Sequence, residues 1–247
     1  MNLKNSSTNA NPFVLVERPS LVNVAPANLR GPISLSTSAG EGTSPKGDKE
    51  IEDNRRFLET CGEFFLYSEI DDKTYELAVA MQRFAHSHKG KSNKPRIKLH
   101  ISSGGGNIDV GLSLGGMITS IRNTYGVLTD TYIQGLAASM AGILAQFGNH
   151  RYIDSNSQFM VHDISIGGRY RFDTRDILDL THMVDNTRSI IANIYARRNT
   201  AGYTSAEDWI TKYMNGRDYW LTAQEALDMG LVDSILPDCP EMVNEAQ

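Results

Sequence analysis

The sequence has little of what disulfide-bonded, exported or membrane-spanning proteins require. Its 247 residues include two cysteines, Cys61 and Cys239, whose separation fits neither a disulfide framework nor a zinc site. No apolar run approaches the roughly 20 residues that cross a bilayer, and the N-terminus has no apolar core of signal-peptide length. We therefore expect a protein of the reducing cytoplasm that makes no membrane contact.

An excess of positive charge is also missing. Lysine and arginine total 24 against 29 aspartate and glutamate residues, which gives a formal net charge of -5. The longest basic stretch, Lys89 to Lys98, is interrupted by glycine, serine, asparagine and proline. This balance gives little support to nucleic-acid binding. No pairing among the six histidines has metal-ligand spacing, so we expect neither a metal nor a cofactor.

Proline is unevenly distributed and marks the domain organisation. Five of the eight prolines lie in residues 1–50, and none lies between Pro95 and Pro237. Serine, threonine, asparagine, proline and glycine make up half of residues 1–50. Such a segment buries too little apolar surface to offset the entropy lost on ordering. We predict a disordered arm or propeptide over 1–50, a folded domain over 51–240 and a short tail over 241–247.

Three consecutive glycines follow a predicted strand. Alternation over 97–101 predicts the strand, which leads into SSGGGN (102–107) and then into a helical pattern. The glycines are not a dinucleotide fingerprint, because Asp109 occupies the place of the third glycine, and no P-loop lysine follows. They let backbone N–H groups approach a ligand, as an oxyanion donor or as an edge for an extended peptide. An ordinary tight turn is the alternative.

A serine occupies the next turn of this kind. An alternating strand pattern from Val127 to Ile133 precedes GLAASMAG (135–142), and a buried helix pattern follows. Ser139 therefore lies at a strand-to-helix turn among small residues, where the helix N-terminus would stabilise an oxyanion. Close packing of small residues is the alternative interpretation. The repeated strand, turn and helix predict a parallel sheet with crossover helices.

Two further candidates come later in the chain. His162 follows Ser139 by 23 positions at the end of a predicted strand, where functional side chains of α/β sheets project. A lone histidine is nevertheless more often structural. After it, Asp173 or Thr174 is expected to cap a helix of about 26 residues, which is long for a compact domain. Asp218 follows an arginine, and an isolated pair of this kind is usually solvated.

Together these residues carry a resemblance to a known family. Over roughly residues 56–236 the chain resembles the Clp protease proteolytic subunit, ClpP, in four segments that occur in order: IKLHISSGGG, GLAASMAG, SQFMVHD and RDYWLTAQEALDMGLVDSIL. The resemblance implies a crotonase-like α/β fold of repeated ββα/βαβ units with a projecting handle helix. It also implies a serine endopeptidase that hydrolyses unfolded polypeptides or peptides inside two stacked heptameric rings, without a cofactor.

The resemblance assigns roles to individual residues. It implies Ser139 as the nucleophile, His162 as the general base and Asp218 as the residue that orients the base. The backbone N–H groups of Gly106 and Met140 match the family's oxyanion hole. Substrate binding is implied for three glycines, Gly105, Gly167 and Gly168. The chemistry is complete, because an imidazole takes the serine proton, a carboxylate fixes the imidazole and two N–H groups hold the oxyanion.

The chain departs from the family pattern close to these residues. Family members usually have proline where this chain has Gly104, and Gln-Pro where it has Asp163 and Ile164. The interval from His162 to the glycine pair that follows is also longer by one residue. These departures leave the triad intact. Asp163 is a minor rival for the acidic role, since adjacent side chains on an extended strand point to opposite faces.

The expected partners also differ from the family pattern. Family members receive flexible loops of a hexameric ATPase unfoldase in an apolar cleft, and Lys98, His100 and Ser120 occupy three of its positions here. We hypothesise weakened or altered docking, unless other residues rebuild the cleft. A phage-type head-maturation protease is an alternative function. A non-catalytic subunit of a mixed ring, or an acyl-CoA enzyme of the same fold, is disfavoured because the triad positions are filled.

Overall fold

Repeated units of strand and helix build the structure, a computed structural model that describes residues 45–92, 95–167, 173–202 and 205–237. Its helices in those ranges are α1 Pro45–Thr60, α2 Thr74–Ser87, α3 Ile108–Tyr125, α4 Met140–Ala145, α5 Thr174–Arg198, α6 Ala206–Tyr213 and α7 Ala223–Asp228. Its strands are β1 Glu63–Leu66, β2 Ile97–Ser103, β3 Thr129–Ala138, β4 Arg151–Asp154, β5 Gln158–Val161, β6 Tyr219–Thr222 and β7 Ser234–Leu236. This alternation confirms the predicted α/β class.

The sheet is parallel except for one pairing. Its order is β1-β2-β3-β4-β7, and β5 and β6 lie off this path. One edge of β3 pairs with β2, and the other edge pairs with two strands in succession. Residues 131–133 of β3 pair with β4, and residues 136–138 pair with β5. β6 adds to β5 in the antiparallel direction. The carboxyl ends of β2, β3 and β5 therefore meet, and ligands of parallel sheets bind at such ends.

The core forms where the alternation in β2 predicts it. Ile97, Leu99 and Ile101 are fully buried, and they belong to one apolar cluster with Met81 of α2 and Ile118 of α3. Burial of an apolar side chain of this size contributes about 1.5–3 kcal/mol. The packed helices therefore hold β2 rigidly, and the glycine turn that follows β2 begins from a fixed point.

Helix α5 is the longest element and is buried only in its last third. A capping box between Asp173 and Asp176 starts it, as the sequence predicted, and it runs for 25 residues. Its buried residues lie between Ile191 and Ala196. Earlier apolar side chains of the helix, Ile177 and Leu178, are 53% and 58% exposed. The first part of α5 thus carries apolar surface that no described part of the chain buries.

Some elements differ from the sequence predictions. Helix α1 begins at Pro45, inside the segment predicted to be a disordered arm; residues 1–44 and the tail 241–247 lie outside the described residues. The residue that precedes α2 is Lys73, which makes no side-chain cap, and Asp71, one of the two predicted caps, accepts a hydrogen bond from the Lys73 N–H at 2.9 Å. Tyr75, predicted on the apolar face of α2, is 47% exposed. Strand β6 was not predicted at all.

The described part of the chain contains no helix with both the length and the apolar character needed to cross a bilayer. The long helices α3 and α5 instead carry charged residues at both ends. The predicted cytoplasmic location stays a prediction.

Candidate active site

Ser139 forms the whole turn between β3 and α4. Its φ of 53° and ψ of -126° make it the one non-glycine residue with positive φ among the residues described. The Ser139 N–H donates to the Met160 carbonyl oxygen of β5 at 3.1 Å, and its own carbonyl oxygen accepts from the Gly142 N–H at 3.1 Å. A conformation of this kind costs roughly 1–3 kcal/mol and persists where the surroundings enforce it, often at functional sites.

The small residues around Ser139 have a packing role and leave the hydroxyl accessible. A Cβ on Gly105 would lie 2.7 Å from the Ser139 Cβ, and a Cβ on Gly142 would lie 2.8 Å from the Phe159 ring. A side chain at either glycine would therefore clash with its neighbour. The packing interpretation of GLAASMAG is therefore confirmed, and it is compatible with the functional one, since the same small residues let the turn close and leave its side chain partly exposed.

The sheet brings His162 beside Ser139. β5 pairs with the end of β3, with Met160 opposite Ala138, so the residue just beyond β5 lies next to the residue just beyond β3. The His162 Nε2 and Ser139 Oγ atoms are 2.7 Å apart, within hydrogen-bond distance. A neutral imidazole in this position can accept the hydroxyl proton.

Asp218 reaches the other side of the imidazole at longer range. Val161 of β5 pairs with Tyr219 of β6, and this pairing places the residue before Tyr219 near His162. The distance from His162 Nδ1 to Asp218 Oδ1 is 3.9 Å, and the Asp218 side chain is 62% exposed. This distance suits an ion pair with a protonated imidazole and is too long for a hydrogen bond.

The other acidic candidate, Asp163, is engaged elsewhere. Its two carboxylate oxygens accept hydrogen bonds from Arg188 of α5 at 2.9 and 3.0 Å. The expectation that its side chain points away from the face of His162 agrees with this contact. Asp163 therefore gains no support as the orienting acid.

Gly106 and Met140 both face the same cavity as Ser139 and His162. Ile70 forms a parallel bridge with Gly106 through two hydrogen bonds, from the Ile70 N–H to the Gly105 carbonyl oxygen and from the Asn107 N–H to the Ile70 carbonyl oxygen, each 2.8 Å. Neither bond uses the Gly106 N–H. Met140 is the first residue of α4, where an N–H has no partner within the helix. Both N–H groups are therefore candidates for an oxyanion hole, and this role stays a prediction.

The cavity beside the hydroxyl is mostly apolar. Aliphatic and aromatic residues of α3, α4 and α5 and of the segment after β5 form its walls, with Asp163 and Ser165 as polar members. The apolar lining comprises Ile108, Met140, Ile143, Ile164, Ile191 and Tyr195. Burial raises the pKa of Tyr195, so its phenol stays neutral.

The remaining candidates have mixed outcomes. Gly105 lies against Ser139, whereas Gly167 is exposed and is not among the described residues that line the cavity. Gly168 lies outside the described residues, so the substrate-binding roles stay predictions. Sequence patterns gave no signal for Ile191 or Tyr195, because α5 meets the cavity only through packing. Within the described ranges, no three histidine, cysteine, aspartate or glutamate side chains are grouped as a metal site.

The chain is similar to known proteins over most of its length. A family model described as Clp protease matches residues 46–238. The ATP-dependent Clp protease proteolytic subunit of Leuconostoc citreum (strain KM20) is 30% identical over 174 residues, which are 68% of this chain and 79% of that protein. Proteolytic subunit 1 of Chlamydia caviae is 29% identical over 76% of this chain and 90% of that protein. The chain therefore belongs to the Clp protease family, with its crotonase-like fold, and is a serine endopeptidase of the ClpP type.

Proposed function

We propose that the chain cleaves peptide bonds through an acyl-enzyme on Ser139. The observation that carries the proposal is the 2.7 Å contact between Ser139 Oγ and His162 Nε2, beside the N–H groups of Gly106 and Met140. This contact also favours a catalytic subunit over a non-catalytic one.

The proposed reaction has two halves, formation and hydrolysis of the acyl-enzyme, and the same groups act in both. As Ser139 Oγ attacks the scissile carbonyl carbon, His162 Nε2 takes the hydroxyl proton, and the Gly106 and Met140 N–H groups hold the oxyanion. The imidazolium gives that proton to the leaving amine, which releases the C-terminal part of the peptide. Water then attacks the acyl carbon while His162 takes its proton, the bond to Ser139 Oγ breaks as the imidazolium returns a proton to Oγ, and the N-terminal part leaves as a carboxylic acid.

Asp218 stabilises the imidazolium in this scheme. A hydrogen bond to Nδ1 requires the side chain to move about 1 Å closer than its 3.9 Å separation. The 62% exposure of Asp218 leaves space for that movement. The carboxylate would fix the imidazole tautomer and stabilise the positive charge that forms during attack.

The apolar walls of the cavity indicate which substrates fit best. Ile108, Ile143 and Tyr195 surround the space beside the Ser139 hydroxyl. An apolar side chain next to the scissile bond would lose water on entering this space, and each buried CH₂ contributes about 0.8 kcal/mol. We expect short unfolded peptides with apolar residues at the cleaved bond to be the preferred substrates.

Ser139→Ala tests the proposed mechanism. Peptide cleavage and labelling by a serine-directed fluorophosphonate should both be lost, because no other described serine forms this contact with His162. Ser113→Ala, an exposed serine of α3, is the matched control and should behave as wild type. Mass spectrometry locates the label, and labelling of the Ser139→Ala variant at another residue would refute the assignment.

The proposed assembly is the double heptameric ring of the family, with α5 as the handle and the sites facing an enclosed chamber. Exposed apolar residues on the first part of α5, among them Ile177 and Leu178, support a buried role for this helix in the assembly. The ring encloses the sites, so that only unfolded segments reach Ser139.

Docking of a Clp-type ATPase is expected to be weakened or altered. Lys98 Nζ is 2.7 Å from a Glu63 carboxylate oxygen, and His100 Nε2 is 2.6 Å from the other oxygen. His100 Nδ1 lies 2.9 Å from the Gln134 side-chain oxygen, and Ser120 is exposed on α3. An apolar loop tip would have to desolvate these polar groups and would gain little in return.

A stimulation assay measures that docking. Addition of the usual unfoldase and ATP should give little degradation of a folded substrate, while cleavage of a short peptide by the same preparation shows that the sites are active. Efficient ATP-dependent degradation would contradict weakened docking. It would indicate that neighbouring aromatic side chains, such as Phe65, whose ring is stacked 4.8 Å from that of His100, rebuild an apolar cleft.

A further inference from the structure

The sheet positions the chain up to Val161 and pairs no residue at His162 itself. β5 ends at Val161, which pairs with Tyr219, and His162 lies one residue beyond this last pair. Contact with Asp218 is also loose, because 3.9 Å separates the two side chains. The orientation of the imidazole therefore depends on how the chain is held just after His162.

Helix α5 holds the next residue, Asp163. Arg188 Nε donates to one carboxylate oxygen of Asp163 at 2.9 Å, and Nη2 donates to the other at 3.0 Å. The Ile164 N–H donates to the same carboxylate at 2.7 Å. The side chains of Arg188 and Asp163 are 27% and 17% exposed. A forked, partly desolvated arginine–carboxylate pair fixes direction as well as distance.

Arg188 lies on the side of α5 that faces the cavity. Ile191 and Tyr195, three and seven positions later, share its helix face and line the cavity together with His162. Arg188 Nη1 also donates to Asp185 on the same helix at 3.1 Å, which restricts the guanidinium. The long helix thus reaches the segment after β5 through one defined contact.

We propose that Arg188 is a positioning residue for peptide hydrolysis. Through its forked bond to Asp163 it fixes the backbone after β5, and with it the imidazole of His162 against the Ser139 hydroxyl. Arg188 acts through Asp163 and not on the reacting atoms. This role rests on the proposed function, because it requires His162 to be the base.

Steady-state kinetics on a short peptide test the role. Arg188→Gln should lower kcat by about 10- to 100-fold, the cost of a catalytic group displaced by about 1 Å, and should leave KM within about twofold. Arg188→Lys keeps the charge without the fork and should recover part of the loss. Arg197→Gln is the matched control, since Arg197 Nε bonds to the Asn193 carbonyl oxygen of the same helix, and it should keep wild-type kcat.

A double variant separates coupling from general damage. Asp163→Asn should lower kcat as Arg188→Gln does, and the two together should lose no more than the larger single loss, because both break one contact. Native mass spectrometry of every variant shows whether it assembles. If Arg188→Gln does not assemble, the kcat and KM values of Arg188→Lys and Asp163→Asn are compared with those of the wild type instead.

Four results would overturn the positioning role: wild-type kcat in Arg188→Gln, a rise in KM that accounts for the loss, additive losses in the double variant, or a loss that follows the unassembled fraction. Ser139→Ala distinguishes the two proposals. An active Ser139→Ala variant contradicts the proposed nucleophile. An inactive one beside a fully active Arg188→Gln contradicts the positioning role alone.

Discussion

Gly106 shows how little space the site leaves for a side chain. A Cβ at Gly106 would lie 2.4 Å from the Ile70 carbonyl oxygen, and its φ of 141° disfavours any side chain. We predict that Gly106→Ala displaces the N–H and lowers kcat for a peptide by about 10²- to 10³-fold, the usual cost of losing an oxyanion donor. Gly104→Ala is the control, because a Cβ there meets no heavy atom within 4 Å. Equal kcat values in the two variants would contradict the role of Gly106.

At this scale, local patterns marked Ser139 and His162 as candidates, and the family resemblance supplied their proposed roles. Ser139 and His162 lie at a turn and a strand end that the sequence marks, and the structure places them 2.7 Å apart. The 3.9 Å gap to Asp218 and the contact between Asp163 and Arg188 had no such signal. Both depend on how segments distant in the chain pack, and periodicity says nothing about side-chain distances.

Among the elements, β4 and the residue that precedes β7 are joined by a salt bridge with a buried arginine. Arg151 is 1% exposed and donates to the two carboxylate oxygens of Asp233 at 3.1 and 2.6 Å. Burial alone would raise the pKa of Asp233, but the hydrogen bonds and charge of Arg151 outweigh it, and the pKa lies below its ordinary value. A carboxyl group with a lower pKa in the folded state stabilises the fold when ionised.

The stability that this pair contributes should therefore depend on pH. It is present above the unfolded pKa of about 3.9, and it is lost as the pH falls through the lower folded pKa. We predict that the thermal unfolding midpoint of the wild type falls more steeply between about pH 5 and pH 3 than that of Asp233→Asn. Asp72→Asn, at an exposed position, should keep the wild-type slope. Parallel curves for wild type and Asp233→Asn would count against the pair.

The elements that escaped prediction bury few of their own side chains. In α1, Glu52 pairs with Arg55 and Arg56 on the helix surface, while Ile51 and Phe57 are 64% and 65% exposed, and the helix begins inside a segment whose composition predicts disorder. β6 is four residues long and forms only because β5 offers an edge. In contrast, the capping box at Thr222 and Glu225 identified α7 from sequence alone.

For the whole molecule, the exposed apolar side of α5 predicts assembly. Leu178→Glu places a charge where the proposed handle packs against the opposite ring, and burying an unpaired charge is costly. We expect native mass spectrometry to show half the mass of the wild-type particle, as single rings. Arg175→Gln, a polar change on the same helix, should leave the particle intact. A full-size particle of Leu178→Glu would argue against α5 as the contact between rings.

The alternation of strands and helices predicted a parallel sheet, but it did not predict that β5 and β6 lie off the main path. Repeated strand–turn–helix units predicted parallel neighbours, and β1 to β4 are paired in that way. The antiparallel addition of β6 to β5 depends on an edge that exists only after the sheet forms. Sequence patterns describe each strand and not the neighbour it acquires.

The switch of β3 from β4 to β5 has a pharmacological consequence. β5 is held to β3 over three residue pairs, from Leu136 to Ala138, and to β6 at its other edge, and neither pairing belongs to the path β1-β2-β3-β4-β7. A small molecule that wedged β5 outward would separate imidazole from hydroxyl and leave most of the sheet intact. Such a compound would block the proposed catalysis by displacing a strand, without having to fill the cleft itself.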